Sequence, residues 1–182
     1  MTKHQFEEFL EQRARETREA EPIDWESRRR DWLQNLAGFY STIEGYLRPY
    51  LESGKLRLGR SSVTLTEEHI GTYDADSMTI LIGADKVKLV PIGTLIIAAR
   101  GRVDMTGPSG TVKFILTGKH SNGVGIHFSV VGETGPAEQA PAPEPAAPEE
   151  LVWKIATSPP RIQFIELTSE TFFSALMEVV NG

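Results

Sequence analysis

Three pairs of basic residues have the spacing of side chains that share one side of a β-strand. These pairs are Lys55 and Arg57, Lys86 and Lys88, and Arg100 and Arg102. Residues two apart in a strand point to the same side, and the residues between them, such as Leu56 and Val87, are apolar. If the three strands pair, the six cations form a patch suited to an acidic protein, a nucleic acid or an acidic segment of the same chain. The alternative is a solvated sheet face, where Lys and Arg commonly lie.

A second candidate surface is the aromatic side of a long predicted helix. Trp25, Trp32, Tyr40 and Tyr46 fall largely on one side of residues 25–51 at helical spacing. Such a stripe usually covers a sheet and belongs to the core. Aromatic side chains are also enriched in protein–protein interfaces. The same four residues therefore predict, as the other interpretation, a protein-binding groove or the seam of a homodimer.

No cluster of residues has the pattern of a catalytic or metal site. His120 and His127 are seven residues apart with no evident third ligand, so they do not predict a metal ion. Asp74 and Asp76 are assigned to a tight turn, where Asp is common for backbone reasons. The chain contains no cysteine, which excludes disulfides and cysteine nucleophiles. We predict no catalytic residues, no metal and no cofactor, and we favour a protein that is not an enzyme.

Helical and strand periods place helices at both ends of the chain and strands between them. A charged helix is predicted at 3–20, a second helix from Trp25 to Leu51 after an N-cap at Asp24, and a third after Thr168 or Ser169. Alternation predicts strands at 55–58, 61–66, 70–74, 77–82, 86–90, 94–99, 101–106, 111–117, 124–131, 151–155 and 161–167. The short links between these strands favour an antiparallel meander.

The predicted fold class is therefore α+β, with N-terminal helices, a curved and mainly antiparallel meander, and a C-terminal helix. Gly71, Gly93, Gly101 and Gly118 lie in or beside strands and indicate curvature strong enough to approach a barrel. The charged helix at 1–22 is expected to precede a single domain at 23–182. Within that domain, the composition of 133–150 predicts a flexible acidic loop rich in Pro, Ala and Glu.

Composition and charge narrow the class of protein. The 182 residues are 40% hydrophobic, which excludes a fully disordered chain. The formal net charge is −6, and this acidic balance argues against a dedicated nucleic-acid-binding protein. No apolar run is long enough to cross a bilayer, and residues 1–20 lack the apolar core of an export signal. We expect a cytoplasmic protein with no membrane partner.

Together these patterns predict a soluble, non-enzymatic binding or adaptor module. It would contact a protein partner through the aromatic helix face, the cationic sheet face or both, and the partner of the cationic face would be acidic. The alternative is a small-molecule-binding or hydrolytic domain with a pocket inside the curved sheet. In that case Arg102, Asp104 and His127 are the polar groups that would face the pocket.

Overall fold

The computed structural model describes residues 24–94, 99–121, 150–158 and 162–182. Within these residues, helix α1 (Trp25–Glu52) comes first and helix α2 (Ser169–Asn181) last. Between them lie β1 (Arg57–Glu67), β2 (Gly71–Ile82), β3 (Asp85–Gly93), β4 (Gly101–Thr106), β5 (Thr111–Gly118), β6 (Leu151–Ala156) and β7 (Phe164–Glu166). The helix predicted at 3–20, the strand at 124–131, most of the strand at 94–99 and nearly all of the acidic loop at 133–150 lie outside the described residues.

The start of α1 is set by a side-chain cap, as the sequence predicts. The Asp24 carboxylate accepts hydrogen bonds from the backbone N–H of Ser27 at 3.0 Å and from its hydroxyl at 2.6 Å. These bonds stabilise the charged carboxylate and hold the pKa of Asp24 below its ordinary value. At the other end, Pro49 lies in the last turn, and Gly54 then turns the chain with a φ of 70°.

The seven strands form one antiparallel sheet in chain order. This meander, with one helix before it and one after it, confirms the α+β prediction. The sheet is open across the described residues, with β1 and β7 at its edges. The barrel-like closure that the glycines suggested is therefore not found there, because β7 has only three residues and cannot pair along the eleven of β1.

The first hairpin is longer than the sequence predicts. Strands expected separately at 55–58 and 61–66 together form β1, and those at 70–74 and 77–82 form β2, in one unbroken register. Asp74 and Asp76 consequently lie inside β2, and their assignment to a turn is wrong. Both side chains are exposed, and Asp74 accepts a hydrogen bond of 2.7 Å from the Thr64 hydroxyl across the strands. A strand can hold Asp at such positions because nothing buries its charge.

The buried side of this hairpin changes along its length. Near its open end the side chains turned toward the core include Leu58 and its partner Ile80, whereas near its tip they include Leu65 and its partner Tyr73. Because β3 pairs with β2 only from Met78 onward, the tip half is a two-stranded ribbon, and such ribbons twist strongly. The twist brings the tip beside the start of α1.

Large side chains on α1 cover the inner face of the sheet, defined here as the face toward the helices. The buried residues of α1 are Trp32, Leu36, Phe39, Tyr40, Ile43 and Leu47. Trp153 on β6 meets the rings of Trp32 and Phe39 at centroid distances of 6.0 and 4.5 Å. In β4, Gly101 lies under the Trp32 indole, which leaves no room for a side chain.

Helix α2 covers the same face of the sheet beside α1. Thr168 caps it, because its hydroxyl accepts the backbone N–H of Thr171 at 3.2 Å. The buried ring of Phe172 lies 6.0 Å from Tyr46 of α1 and 6.3 Å from Phe114 of β5. Both helices therefore share one core and leave the opposite face of the sheet, here called the outer face, uncovered by either.

The contact between Trp32 and Gly101 generates a stability prediction. A Cβ on Gly101 would lie 2.2 Å from the indole, so Gly101→Ala should lower the free energy of unfolding by about 1–3 kcal/mol through overpacking. The control is Gly38→Ala at an exposed position of α1, where an added Cβ meets nothing within 4 Å. It should raise the free energy of unfolding by about 0.5–1 kcal/mol. Urea denaturation measures both, and equal effects of the two substitutions would contradict the packing argument.

Candidate functional site

The strand register brings part of the predicted basic patch together on the outer face. Arg57 and Lys86 each lie directly opposite Leu81, from its two sides. Residues opposite one another in an antiparallel pair project to the same face, so both cations share that face. Lys88 follows Lys86 by two residues and projects the same way. Lys55 is exposed just before β1. We call these four residues the cationic corner.

The corner concentrates positive charge over a short distance. Sheet geometry places Lys86 and Lys88 about 7 Å apart, and Arg57 about 9.5 Å from Lys86 across two strand spacings. These separations are comparable to the Debye length of about 8 Å at physiological salt, so the cations act on a ligand together. Within the described residues, none of the four has a carboxylate within ion-pair distance, and all four are exposed.

The remaining two predicted patch residues lie apart from the corner. Arg102 makes a two-point ion pair with Asp104 on the same strand, at 2.6 and 2.5 Å. This pairing raises the pKa of Arg102 and neutralises its charge locally. Arg100 is exposed one residue before β4 begins. The structure therefore gathers four of the six predicted cations and separates Arg100 and Arg102 from them.

The four predicted aromatic residues divide into two buried and two half-buried side chains. Trp32 and Tyr40 are 1% and 0% exposed, as the interpretation of a core-forming stripe requires. Trp25 is half-buried and stacks on His69 at 5.0 Å. Tyr46 is half-buried against Phe172. Of the four, only Trp25 and Tyr46 retain surface that a partner can contact.

A polar cluster that sequence analysis did not assemble lies where the ribbon tip meets the end of β3. The carboxylate of Glu67 accepts hydrogen bonds from the Tyr73 hydroxyl and from Thr94, whose backbone N–H and hydroxyl lie at 2.6 and 3.0 Å. Gly93 has a φ of 133°, and a Cβ there would lie 2.8 Å from the same carboxylate. Arg28 of α1 donates to the Thr94 carbonyl at 3.0 Å.

This cluster ties three separate elements together. Its donors come from the ribbon and from the end of β3, and α1 joins through Arg28, so the Glu67 carboxylate links the ribbon tip to the sheet. Thr94 is fully buried, and a buried polar group left without its partner costs about 1–3 kcal/mol. The arrangement accounts for why a charged residue lies at a half-buried position in β1.

The other residues considered for chemistry are dispersed. His120 is exposed, and His127 lies outside the described residues. Across the described ranges, no group of three or more His, Asp and Glu residues has the geometry to hold a metal ion. Arg102 and Asp104, expected to face an internal pocket in the alternative prediction, instead lie on the outer face as an ion pair.

A cavity of about 510 Å³ lies at β6 and β7. Its lining residues are Thr42, Lys119, Val152, Trp153, Lys154, Phe164, Glu166 and Leu167. Lys154 is only 6% exposed, which is rare for a lysine. The burial of Lys154 could not be predicted from the sequence, because one Lys within the strand 151–156 is what an ordinary solvent-facing position also shows.

Comparison with models of protein families, with curated proteins and with solved structures finds no match for this chain. Neither described helix combines the length and apolar character needed to cross a bilayer. The interpretation of the site therefore depends on its own geometry.

Two tyrosines give a prediction for alkaline pH. Burial raises the pKa of Tyr40 and of Tyr73, and the hydrogen bond to Glu67 raises the pKa of Tyr73 further. The native state therefore keeps both phenols protonated while the unfolded chain ionises near pH 10. Stability from these groups is complete below about pH 10 and is lost as the pH rises above that value.

We expect part of the tyrosinate absorbance to appear only together with alkaline unfolding, as followed by circular dichroism. Tyr40→Phe and Tyr73→Phe should each reduce that unfolding-linked part, with the denatured protein as reference for full ionisation. Development of the full signal from all four tyrosines while the protein stays folded would contradict this assignment.

Proposed function

We propose that this chain is a non-enzymatic binding module whose cationic corner binds an acidic segment of a partner protein. The observation that supports the proposal is the set of four exposed cations at one corner of the sheet, three of them on its outer face, with no carboxylate partner among the described residues. Two other cations of the sheet are paired: Arg60 with Glu44 at 2.7 Å, and Arg102 with Asp104.

The energetics of exposed charges define the partner. Two like charges 7–10 Å apart in water repel by only about 0.5 kcal/mol, so the free protein tolerates the corner. An exposed ion pair in turn contributes only about 0.2–1 kcal/mol. A single carboxylate would therefore bind too weakly, and the partner must bring several carboxylates at once. A run of Asp and Glu in a protein segment has that character.

The net charge of the chain favours a protein over a nucleic acid. The formal charge of the whole chain is −6. Beyond the immediate surroundings of the corner, the electrostatic potential of the molecule is therefore negative and repels a long polyanion. A short acidic segment contacts the corner without approaching the rest of the surface. The corner is also held rigidly, because Arg57 lies on β1 and Lys86 and Lys88 lie on β3, and both strands pair with β2.

Two finer predictions accompany the proposal. Homodimerisation stays a prediction that the exposed parts of Trp25 and Tyr46 motivate, since Trp32 and Tyr40 are buried within one chain. Cytoplasmic localisation also stays a prediction. Light scattering of the purified protein and fractionation of cells measure the two directly.

Charge reversal tests the proposed site. The double variant Lys86→Glu/Lys88→Glu should bind a fluorescent oligoglutamate peptide at least about tenfold more weakly than the unmodified protein, because attraction becomes repulsion at two positions. Fluorescence anisotropy at about 0.15 M salt measures the affinity, and binding should weaken further as salt rises.

The matched control is Arg30→Glu/Arg100→Glu, which changes the net charge equally at an exposed residue near the start of α1 and at one just before β4, both away from the corner. It should leave peptide affinity within about twofold of the unmodified value, since additional long-range repulsion is screened. Equal losses in the two double variants would refute a localised site. Tighter binding to single-stranded RNA of equal charge than to the peptide would instead assign the corner to nucleic acid.

A further inference from the structure

The cavity at β6 and β7 has the size and walls of a small-molecule site. Its volume of about 510 Å³ falls within the range of about 300–1,000 Å³ typical of ligand pockets. Val152, Trp153, Phe164 and Leu167 supply apolar surface. Charged groups at its wall come from lysines and from Glu166. Such a combination of apolar walls and a few polar groups is what binds and orients an amphipathic ligand.

Lys154 is the unusual group in this wall. Its ammonium donates to the backbone carbonyls of Lys119 and Ser121 at 2.7 and 2.6 Å. The residue is 94% buried. An ammonium has three N–H donors, and both of these acceptors are uncharged. Buried charges are normally paired with an opposite charge, yet within the described residues Lys154 makes no ion pair.

The nearest candidate anions do not supply that charge. Glu166 is the cross-strand partner of Lys154, but its carboxylate lies beyond ion-pair distance of the ammonium and is exposed. The other acid near the cavity, Glu150, binds Lys119 at 2.9 Å. Within the described ranges, the positive charge of Lys154 is therefore compensated only by carbonyl dipoles, and it lies beside a cavity with room for an anion.

We propose that this cavity binds a small amphipathic carboxylate, with its carboxylate on the Lys154 ammonium and its apolar part against Val152, Phe164 and Leu167. The carboxylate would take the N–H that the two carbonyls leave free, and burial of its tail would supply most of the affinity. This site is separate from the cationic corner, and neither proposal depends on the other.

Three probes distinguish the contributions to binding by the full-length protein. Octanoate carries both the charge and the tail, octanol only the tail, and acetate only the charge. Isothermal titration calorimetry should show octanoate binding at least about tenfold more tightly than octanol, since a hydrogen bond to a charged group contributes strongly in a buried site. Acetate should show no measurable binding at the same concentrations. Equal affinity for octanoate and octanol would overturn the role assigned to Lys154.

Two variants test the site itself. Lys154→Met removes the charge while keeping an unbranched apolar chain, and it should abolish the preference for octanoate over octanol. Glu166→Gln removes from the cavity wall, at an exposed position, a negative charge that repels the octanoate carboxylate. It should therefore tighten octanoate binding several-fold. The control is Lys113→Met, an exposed lysine outside the cavity wall, which should leave the octanoate affinity unchanged.

The second variant keeps the test decisive if Lys154→Met fails to fold. In that case, unchanged octanoate affinity in a folded Glu166→Gln protein would refute the site. A preference for octanoate that survives in folded Lys154→Met protein would refute it as well, and so would the absence of octanoate binding to the unmodified chain at millimolar concentration.

Discussion

An open antiparallel sheet with one apolar face must have that face covered, and here α1 supplies much of the cover. Its buried rings contact β4, β5 and β6 through close approaches such as Trp32 over Gly101 and Phe39 against Phe114. With α2 beside it, all of the described helical cover lies on the inner face. The outer face, which neither helix covers, carries charged side chains beside apolar ones such as Leu81. Both candidate sites draw on this face: the cationic corner at one end and Lys154 toward the other.

Much of the fold follows from local signals in the sequence. Asp24 and Thr168 begin helices because their side chains satisfy backbone N–H groups that the helix cannot. The strand divisions were less predictable, since Gly59 and the acids at 74 and 76 are typical of turns yet lie inside long strands. Their tolerance there depends on exposure and on cross-strand partners such as Thr64, which only the register determines.

The candidate sites were predictable only in part, for a similar reason. Spacing predicts that Lys86 and Lys88 share one side of a strand, but it cannot show that Arg57 and Lys86 both lie opposite Leu81. Spacing also cannot show that Asp104 neutralises Arg102. Lys154 was missed because its burial arises from tertiary contacts, and its acceptors are the backbone carbonyls of two residues just after β5. Every residue has a backbone carbonyl, so a pattern of residue types cannot identify such acceptors.

The connection from β5 to β6 departs and returns at adjacent points of the sheet. Gly118 and Leu151 are paired, and beyond them Lys119 and Glu150 are joined by a backbone hydrogen bond of 2.9 Å and an ion pair of 2.9 Å. When two ends of a chain are already held together, the entropy cost of the intervening length grows only logarithmically. For protein engineering, this junction is an insertion point, where a reporter or affinity module can be grafted while the strand register stays anchored on both sides.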